Sequence, residues 1–420
     1  MSPRVEAAVH RTFASLRHSR NFRLYLIGMA VSATGTWINF TASSWLVLKL
    51  TDSGTALGIN AALMFGPVLF LAPIGGVLAD RFDKRRILLW TQFSYALVAL
   101  TMAGLVFSGV IAIWMVYLLS VAGGIVTAID NPARQSFYVE MVGEDVLTNA
   151  VSLNSAVFTG SRIVGPAVAG ILIASVGMAV CFLIDGLSYF AVLGALYAMR
   201  PAELHEQKRT TRERGHLVAG FRYVWETPQL RWPLIVMALV FTFVFQWQIL
   251  VPLLAERAFD SGPREFGIMS AAAGVGSFVA ALWMANRNAS PTMRLLAWYV
   301  IGTGVAMIAA AASPTLLLAT LSMIPLGFGA MAFMITGNTM LQITSRPEAR
   351  GRVMALYGMV FLGSTPIGSP IVGWIGEELG PRVDFLLSAL IALGVGAGVL
   401  LLRARREAVS REPDAVVAAS

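Results

Sequence analysis

Four charged side chains lie in or beside long apolar stretches of this sequence, where they could do chemistry. Arg162 and Asp185 interrupt two of these stretches, while Asp130 and Arg134 follow a third. A charge inside a membrane-spanning segment is costly, so such residues mark substrate sites, proton relays or static braces between helices. Asp185 is the candidate proton carrier, because its carboxyl group could bind and release a proton. For Arg162 two interpretations stay open: a functional one, attraction of an anionic substrate group or tuning of a nearby acid, and a structural one, bracing of neighbouring helices.

Uncharged polar side chains in the apolar stretches predict a binding cavity. An amide that faced lipid would lack a hydrogen-bond partner, so amides there indicate a polar interior. Aromatic rings beside them could form walls for bulky ligands. Together with Arg162, the predicted substrate cavity contains Trp37, Asn39, Asn154, Gln246, Gln248, Asn338 and Gln342.

Catalysis, metal binding and bound cofactors are not expected. An enzyme site within the apolar stretches would need a serine–histidine pair, paired aspartates or a metal-binding cluster there. All four histidines lie outside those stretches, and the sequence contains no phosphate-binding G-x-x-x-x-G-K-[ST] loop. The sequence therefore predicts neither an enzyme nor an ATP-driven pump.

The apolar stretches predict an all-α integral membrane protein. Of the 420 residues, 57% are hydrophobic and 13% are charged, and the mean hydropathy is +0.71. A soluble protein has about 25% charged residues. Twelve apolar runs of about 18 or more residues occur between residues 24 and 402, and runs of this length span a membrane as helices.

Basic residues follow an alternating distribution that predicts the topology. With the amino terminus in the cytosol, 26 of the 31 lysines and arginines fall in the termini and the even-numbered connections. This asymmetry obeys the positive-inside rule and places both termini in the cytosol. The net charge of +8 then indicates contact with anionic lipid headgroups rather than with nucleic acid.

Two halves of the chain resemble each other in register. The segments GSRIVGPAVAG (160–170) and GSTPIGSPIVG (363–373) share four residues at an offset of 203, and LADR (78–81) aligns with MANR (284–287) at an offset of 206. Parallel repeats are known in transporters. We predict a six-helix bundle at 1–199, a cytosolic linker with an amphipathic helix at 200–231, a second bundle at 232–402 and a cytosolic tail at 403–420. The amphipathic helix could lie on the inner leaflet or pack on the protein.

The turn after the second apolar run carries a recognisable motif. Gly76-Val-Leu-Ala-Asp80-Arg81-Phe-Asp83-Lys84-Arg85 resembles the G-x-x-x-D-R-x-G-[RK]-[RK] loop of the major facilitator superfamily, with Asp83 in place of the usual glycine. Other segments are similar to a bacterial efflux branch that includes the enterobactin exporter and macrolide efflux proteins, also called transmembrane secretion effectors: Gly35-Thr36-Trp37, Leu50-Thr51-Asp52-Ser53, residues 130–135 and residues 160–166.

This resemblance implies two mechanical elements. Asp80 would sit at the start of the eleventh span, which follows Arg352, and the basic residues of the loop would pair with Asp130 at the end of the fourth span. The full latch would comprise Gly76, Asp80, Arg81, Lys84, Arg85, Asp130 and Arg134. A pivot in the fifth span would comprise Gly160, Gly165, Pro166 and Gly170, because small residues and proline permit close packing and bending.

The resemblance also implies a function. The chain would be a monomeric secondary exporter of drug-like or siderophore-like small molecules in the bacterial inner membrane, working by alternating access in exchange for protons. An ion-coupled importer, a uniporter of a small metabolite and a non-transporting receptor are the alternatives.

Overall fold

The computed structural model describes residues 14–205, 216–287 and 290–417, and its regular elements in those ranges are all helical. We number the twelve long helices α1 to α12, so that each number matches a predicted span. They are α1 Arg20–Thr51, α2 Gly54–Arg81, α3 Lys84–Phe107, α4 Ile113–Val142, α5 Leu147–Ser175, α6 Met178–Ala198, α7 Pro228–Ala258, α8 Pro263–Asn286, α9 Met293–Ala312, α10 Leu316–Thr344, α11 Pro347–Glu378 and α12 Pro381–Val417.

Eleven of these helices are long and apolar enough to cross a membrane. The exception is α1, which has 32 residues but carries polar side chains that include Thr34, Thr36, Asn39 and Thr41. It packs along α5 and α6, so its polar groups face other helices rather than lipid. The predicted twelve-helix fold is therefore confirmed, and α1 is a span whose polarity belongs to the protein interior.

Helix ends form two opposite faces of the bundle. We call one face the basic end; it contains the α2–α3 turn at Phe82–Asp83 and the surrounding residues Arg81, Lys84 and Arg85. We call the other face the sealed end; it contains the α1–α2 turn at Asp52–Ser53 and the last turn of α11.

The packing of the helices follows the sequence repeat. Helices α1–α6 pack mainly on one another, as do α7–α12, and the two groups meet along α2–α11 and α5–α8. Gly170 of α5 lies against the backbone of Pro263 and Arg264, while Gly373 of α11 lies against the backbone of Gly54. These two contacts are related by the offset of 203 residues, which supports a duplicated unit. The exact division of the chain at 199 and 231 stays a prediction.

Two predicted span boundaries are wrong. Helix α4 continues through Pro132 to Val142, so Asp130 lies three turns before its end, and α11 begins at Pro347 rather than after Arg352. A proline inside a helix leaves the carbonyl four residues before it without its usual donor. In α4 this is the carbonyl of Ala128, which lies against Gly75 of α2. Close packing of α2 on α4 therefore stabilises a helix that proline alone would favour ending.

The linker contains the predicted amphipathic helix, at His216–Glu226. Its Val224 is buried and the Tyr223 hydroxyl accepts a hydrogen bond from the Arg346 backbone N–H at 3.3 Å. Phe221 and Trp225 stack on each other at 5.8 Å and are both more than half exposed. This helix therefore packs on the start of α11 with one face and presents an aromatic pair outward with the other. Linker residues 206–215 lie outside the described residues.

Candidate functional site

A cleft lies between four helices near the middle of the bundle. It brings together three predicted cavity residues, Trp37, Arg162 and Gln248. The full lining is Trp37, Phe40 and Thr41 of α1, Arg162 and Pro166 of α5, Trp247 and Gln248 of α7, and Phe266, Ser270 and Ala273 of α8. The α8 residues were missed by sequence reasoning, because an isolated phenylalanine, serine and alanine in an apolar run carry no distinguishing pattern.

The polar wall of the cleft is built by α1 and α5. The guanidinium group of Arg162 lies over the Trp37 ring, 5.3 Å from its centroid, and the Trp37 ring meets Phe40 edge-on at 5.6 Å. A Cβ atom at Gly165 would collide with the Trp37 side chain. The glycine one turn from Arg162 therefore lets α1 approach closely enough for the ring to cover the cation.

The other predicted cavity residues do not line this cleft, and their part in binding stays a prediction. Asn39 contacts Asp185 on the far side of α1, and Gln246 donates to the Phe241 carbonyl at 2.8 Å, where α7 is interrupted. Asn154 lies nearer the basic end on α5, as do Asn338 and Gln342 on α10, which bond to each other at 2.5 Å. Asn39, Gln246, Asn338 and Gln342 thus hydrogen-bond within their own group of helices.

Asp185 lies between α1 and α6, and its side chain is 1% exposed. Its Oδ2 accepts a hydrogen bond from Asn39 Nδ2 at 2.6 Å, while Oδ1 has no hydrogen-bond partner among the described residues. Residues two apart on a helix point about 200° away from each other. Trp37 and Asn39 therefore face opposite sides of α1, so Arg162 and Asp185 are separated by that helix and form no ion pair.

Basic residues of the α2–α3 turn do not pair with Asp130, and this predicted pairing is wrong. Lys84 bonds to Glu140 at 2.5 Å, and Arg85 Nε donates to the Leu196 carbonyl at 2.8 Å. Because α4 extends past Asp130, its acid at the basic end is Glu140.

Asp130 belongs to a buried cluster inside the first bundle. It is fully buried and accepts hydrogen bonds from Thr91 Oγ1 at 2.7 Å and Gln92 Nε2 at 2.9 Å. Arg134, one turn further along α4, forms an ion pair with its other carboxylate oxygen. Asp80 and Arg81 are exposed, and among the described residues they make no hydrogen bond or ion pair.

The sealed end holds a charged network that sequence reasoning missed. Glu377 of α11 accepts hydrogen bonds from Ser53 Oγ at 2.6 Å and from the Thr55 backbone N–H at 2.9 Å. Glu377 thus places a carboxylate at the amino end of α2, where the helix dipole favours negative charge. The structure shows at this end, with roles reversed, the kind of contact that Asp80 was expected to make with α11.

Further contacts tie α1 and α2 to the second group of helices at the same face. Lys49 bonds to Glu256 at 3.1 Å, Arg257 donates to the Asp52 carbonyl at 2.5 Å, and Ser369 Oγ donates to the Gly58 carbonyl at 2.8 Å. Hydrogen bonds and ion pairs between described residues of the two groups of helices all lie on this side of the cleft. These contacts close the bundle at the sealed end.

Comparison with known proteins identifies the family. Residues 10–416 match the family described as transmembrane secretion effector, a branch of the major facilitator superfamily. The chain belongs to this family. It is 28% identical over 399 residues to the multidrug efflux pump Tap of Mycolicibacterium fortuitum, covering 91% of this chain and 96% of Tap. It is 23% identical to the enterobactin exporter EntS of Shigella boydii, covering 94% and 95%.

The fold is also similar to those of transporters whose structures have been solved. A bacterial homologue of the human lysosomal transporter Spinster, in an inward-facing and occupied conformation, superposes with a TM-score of 0.70 at 16% identity, covering 91% of this chain and 97% of that one. The predicted recognition and fold class are confirmed, and the chain is a membrane transporter of the transmembrane secretion effector family.

In this transporter the predicted pivot residues differ in their surroundings. A Cβ atom at Gly170 would lie 2.7 Å from the Pro263 carbonyl of α8, whereas a Cβ atom at Gly160 would meet nothing within 4 Å. Pro166 lies in the middle of α5, which stays one continuous helix. Gly170 thus permits contact between the two groups of helices, and Gly160 has no such role in this structure.

Replacing Gly170 by alanine is expected to lower the free energy of unfolding by about 1–3 kcal/mol, because the backbone of α8 cannot move away without separating the helices. Gly160→Ala is the matched control and is expected to be neutral or slightly stabilising, since alanine favours a helix over glycine. Thermal unfolding of the purified variants in detergent measures both. Equal destabilisation by the two substitutions would contradict the assignment.

Proposed function

We propose that this transporter exports small molecules from the bacterial cytoplasm by alternating access. The observation that carries the proposal is the unequal state of the two ends around the central cleft. Cross-bundle contacts, including Glu377 with Ser53 and Ser369 with Gly58, close one end, while Asp80 and Arg81 stand exposed at the other. A transporter that works by alternating access must break the contacts that close one end as it forms those that close the other end.

Charge supports the orientation of the molecule in the membrane. The basic end carries Arg81, Lys84, Arg85 and Arg86 around one turn and Arg200 after α6, and segments rich in lysine and arginine stay in the cytosol. We therefore place the basic end in the cytosol of a bacterium, at the inner membrane, with both termini on that side. In this orientation the exposed Asp80 and Arg81 face the cytoplasm, from which cargo would enter.

The cargo class that we propose rests on the names of two relatives. Tap is named a multidrug efflux pump and EntS an enterobactin exporter, so we propose that this chain exports a drug-like or siderophore-like compound.

The working unit would be the monomer, because the cleft lies between the two groups of helices of one chain. The exposed Phe221–Trp225 pair, with Arg231 over the Trp225 ring at 5.6 Å, would contact anionic lipid headgroups beside the gate.

Proton exchange is the proposed source of energy, with Asp185 as the carrier. A buried carboxyl group with no basic partner among the described residues favours binding of a proton. The proposed Asp80 latch complements this: when the sealed end opens, Asp80 would dock at the start of α11 and close the basic end.

Asp185→Asn is expected to abolish cargo-driven proton movement, because an amide cannot carry a proton. The assay uses inside-out vesicles with an imposed pH gradient, a fluorescent pH reporter and a panel of dyes, macrolides and a catecholate siderophore. The matched control is Asp384→Asn, which alters another acid that is 1% exposed but lies in the first turn of α12. Proton release on adding one compound, kept in the control and lost in Asp185→Asn, is the expected result. Accumulation of a compound without proton movement would contradict proton coupling, and accumulation in the opposite direction would contradict export.

A further inference from the structure

The cleft contains a cation with no anion to balance it. Among the described residues, Arg162 makes no hydrogen bond and no ion pair. Its guanidinium group instead makes a cation–π contact with the face of the Trp37 ring. A cation–π contact does not replace a carboxylate, since it satisfies none of the five N–H donors of the guanidinium group. Arginine in the middle of a span is costly unless paired, so its charge demands an explanation.

The acidic residues of the neighbourhood are engaged elsewhere. None of the described residues that line the cleft is acidic. Asp185 is held by Asn39 on the opposite side of α1, and Asp130 is held by Arg134 within the first bundle. The positive charge of Arg162 therefore acts on whatever occupies the cleft, with no protein carboxylate to screen it.

Two further donors belong to residues that line the same cleft. The indole N–H groups of Trp37 and Trp247 are buried and have no acceptor among the described residues, and the Trp247 side chain is 3% exposed. A buried donor without a partner is unfavourable, so an acceptor brought by a ligand would recover that energy. The guanidinium group is the charged donor of the cleft, and the two indoles are donors that still lack an acceptor.

Aromatic rings form the rest of the wall. Phe40 and Phe266 line the cleft with the two tryptophans, and Phe266 is backed by Trp45, which stacks on it at 5.9 Å. Such walls favour a flat apolar ring.

We infer that the cleft is a binding site for aromatic anions, in which Arg162 pairs with a carboxylate or phenolate oxygen of the cargo and the tryptophan indoles donate to further acceptors. Lipophilic cations, in contrast, are repelled by Arg162 and are poor cargo. This inference rests on the proposed function, because it names the cargo class of the same cleft. It also selects the anion-attracting role of Arg162 over the brace.

A matched trio of ligands tests the inference without transport. Naphthalene carboxylate, naphthalene carboxamide and naphthylmethylammonium share one ring system and differ in charge. Isothermal titration calorimetry on the purified protein in lipid nanodiscs is expected to show the carboxylate binding at least about tenfold more tightly than the carboxamide, with the ammonium compound weakest.

Substitutions at Arg162 locate the effect. In Arg162→Met the carboxylate is expected to lose its advantage of about tenfold or more while the carboxamide keeps its affinity, which also shows that the cleft is still folded. Arg162→Lys is expected to keep part of the preference, because it keeps the charge but loses the planar donor array. Equal binding of the three ligands by the wild type, or a carboxylate preference that persists in Arg162→Met, would overturn the inference.

The binding and vesicle assays fail independently. Loss of the anion preference alongside normal proton-coupled export would overturn the cargo class and leave the proposed function standing. A clear preference that depends on Arg162, in a protein that moves no compound across vesicles, would instead support the site and overturn the exporter proposal.

Discussion

Arg134→Ala is expected to lower the free energy of unfolding by about 3–5 kcal/mol, among the largest effects of any single substitution in this protein. Its partner Asp130 is fully buried, and without Arg134 the carboxylate keeps only the neutral donors Thr91 and Gln92. A buried charge whose counter-ion is removed is strongly destabilising, because the cost of desolvation is no longer offset. Thermal and denaturant unfolding in detergent, followed by circular dichroism, measures the change.

Two controls separate the ion pair from a general effect of losing an arginine. Arg200→Ala removes an arginine whose ion pair with Glu203 is exposed, with 64% and 42% of the side chains accessible, so its cost is expected to be about 0–1 kcal/mol. Combining Asp130→Asn with Arg134→Met removes both charges and is expected to recover much of the stability. If Arg134→Ala cost no more than Arg200→Ala, Asp130 would not depend on Arg134, and its assignment to the bundle interior would be wrong.

The sequence predicts best those features that depend on one helix alone. Twelve apolar runs predict twelve helices because each span needs about 20 apolar residues whatever its neighbours are. The repeat predicts paired contacts, and the structure places Gly170 on α8 and Gly373 on α2 in the expected correspondence. Arg162 and Trp37 could be singled out because both are unusual in a membrane interior, and packing at Gly165 brings them together.

Pairings between helices could not be predicted in the same way. Pairing the basic loop with Asp130 assumed that the fourth span ends there, whereas packing of Gly75 on Ala128 lets α4 continue as far as Glu140, the partner of Lys84. That Asn39 does not line the cleft could not be predicted for a related reason. A turn of about 100° per residue separates the two faces of α1, and the sequence does not show which face meets the cleft.

Glu377→Ala is expected to shift the protein away from the closed sealed end by about 1–2 kcal/mol, a roughly five- to thirtyfold change in the ratio of the two states. The variant loses the hydrogen bonds from Ser53 and Thr55 and the charge at the amino end of α2. Opening can be followed by maleimide labelling of Leu253→Cys, in a background that also carries Cys181→Ala. Leu253 is fully buried and lies against Gly54 across the sealed end, so its labelling rate reports the open fraction.

The neighbouring acid provides a matched control, because Glu378 is exposed and makes no hydrogen bond among the described residues. Glu378→Ala should leave the labelling rate unchanged, and Glu377→Gln should fall between, since its amide oxygen can still accept from Thr55. An unchanged rate in Glu377→Ala would mean that backbone packing alone, such as Gly54 on Gly373, holds this end shut.

The two ends compete in a transporter that works by alternating access, because closing one end opens the other. If Asp80 closes the basic end as proposed, adding Asp80→Asn to Glu377→Ala must return the rate toward the wild-type value, because both closed states are then weakened together.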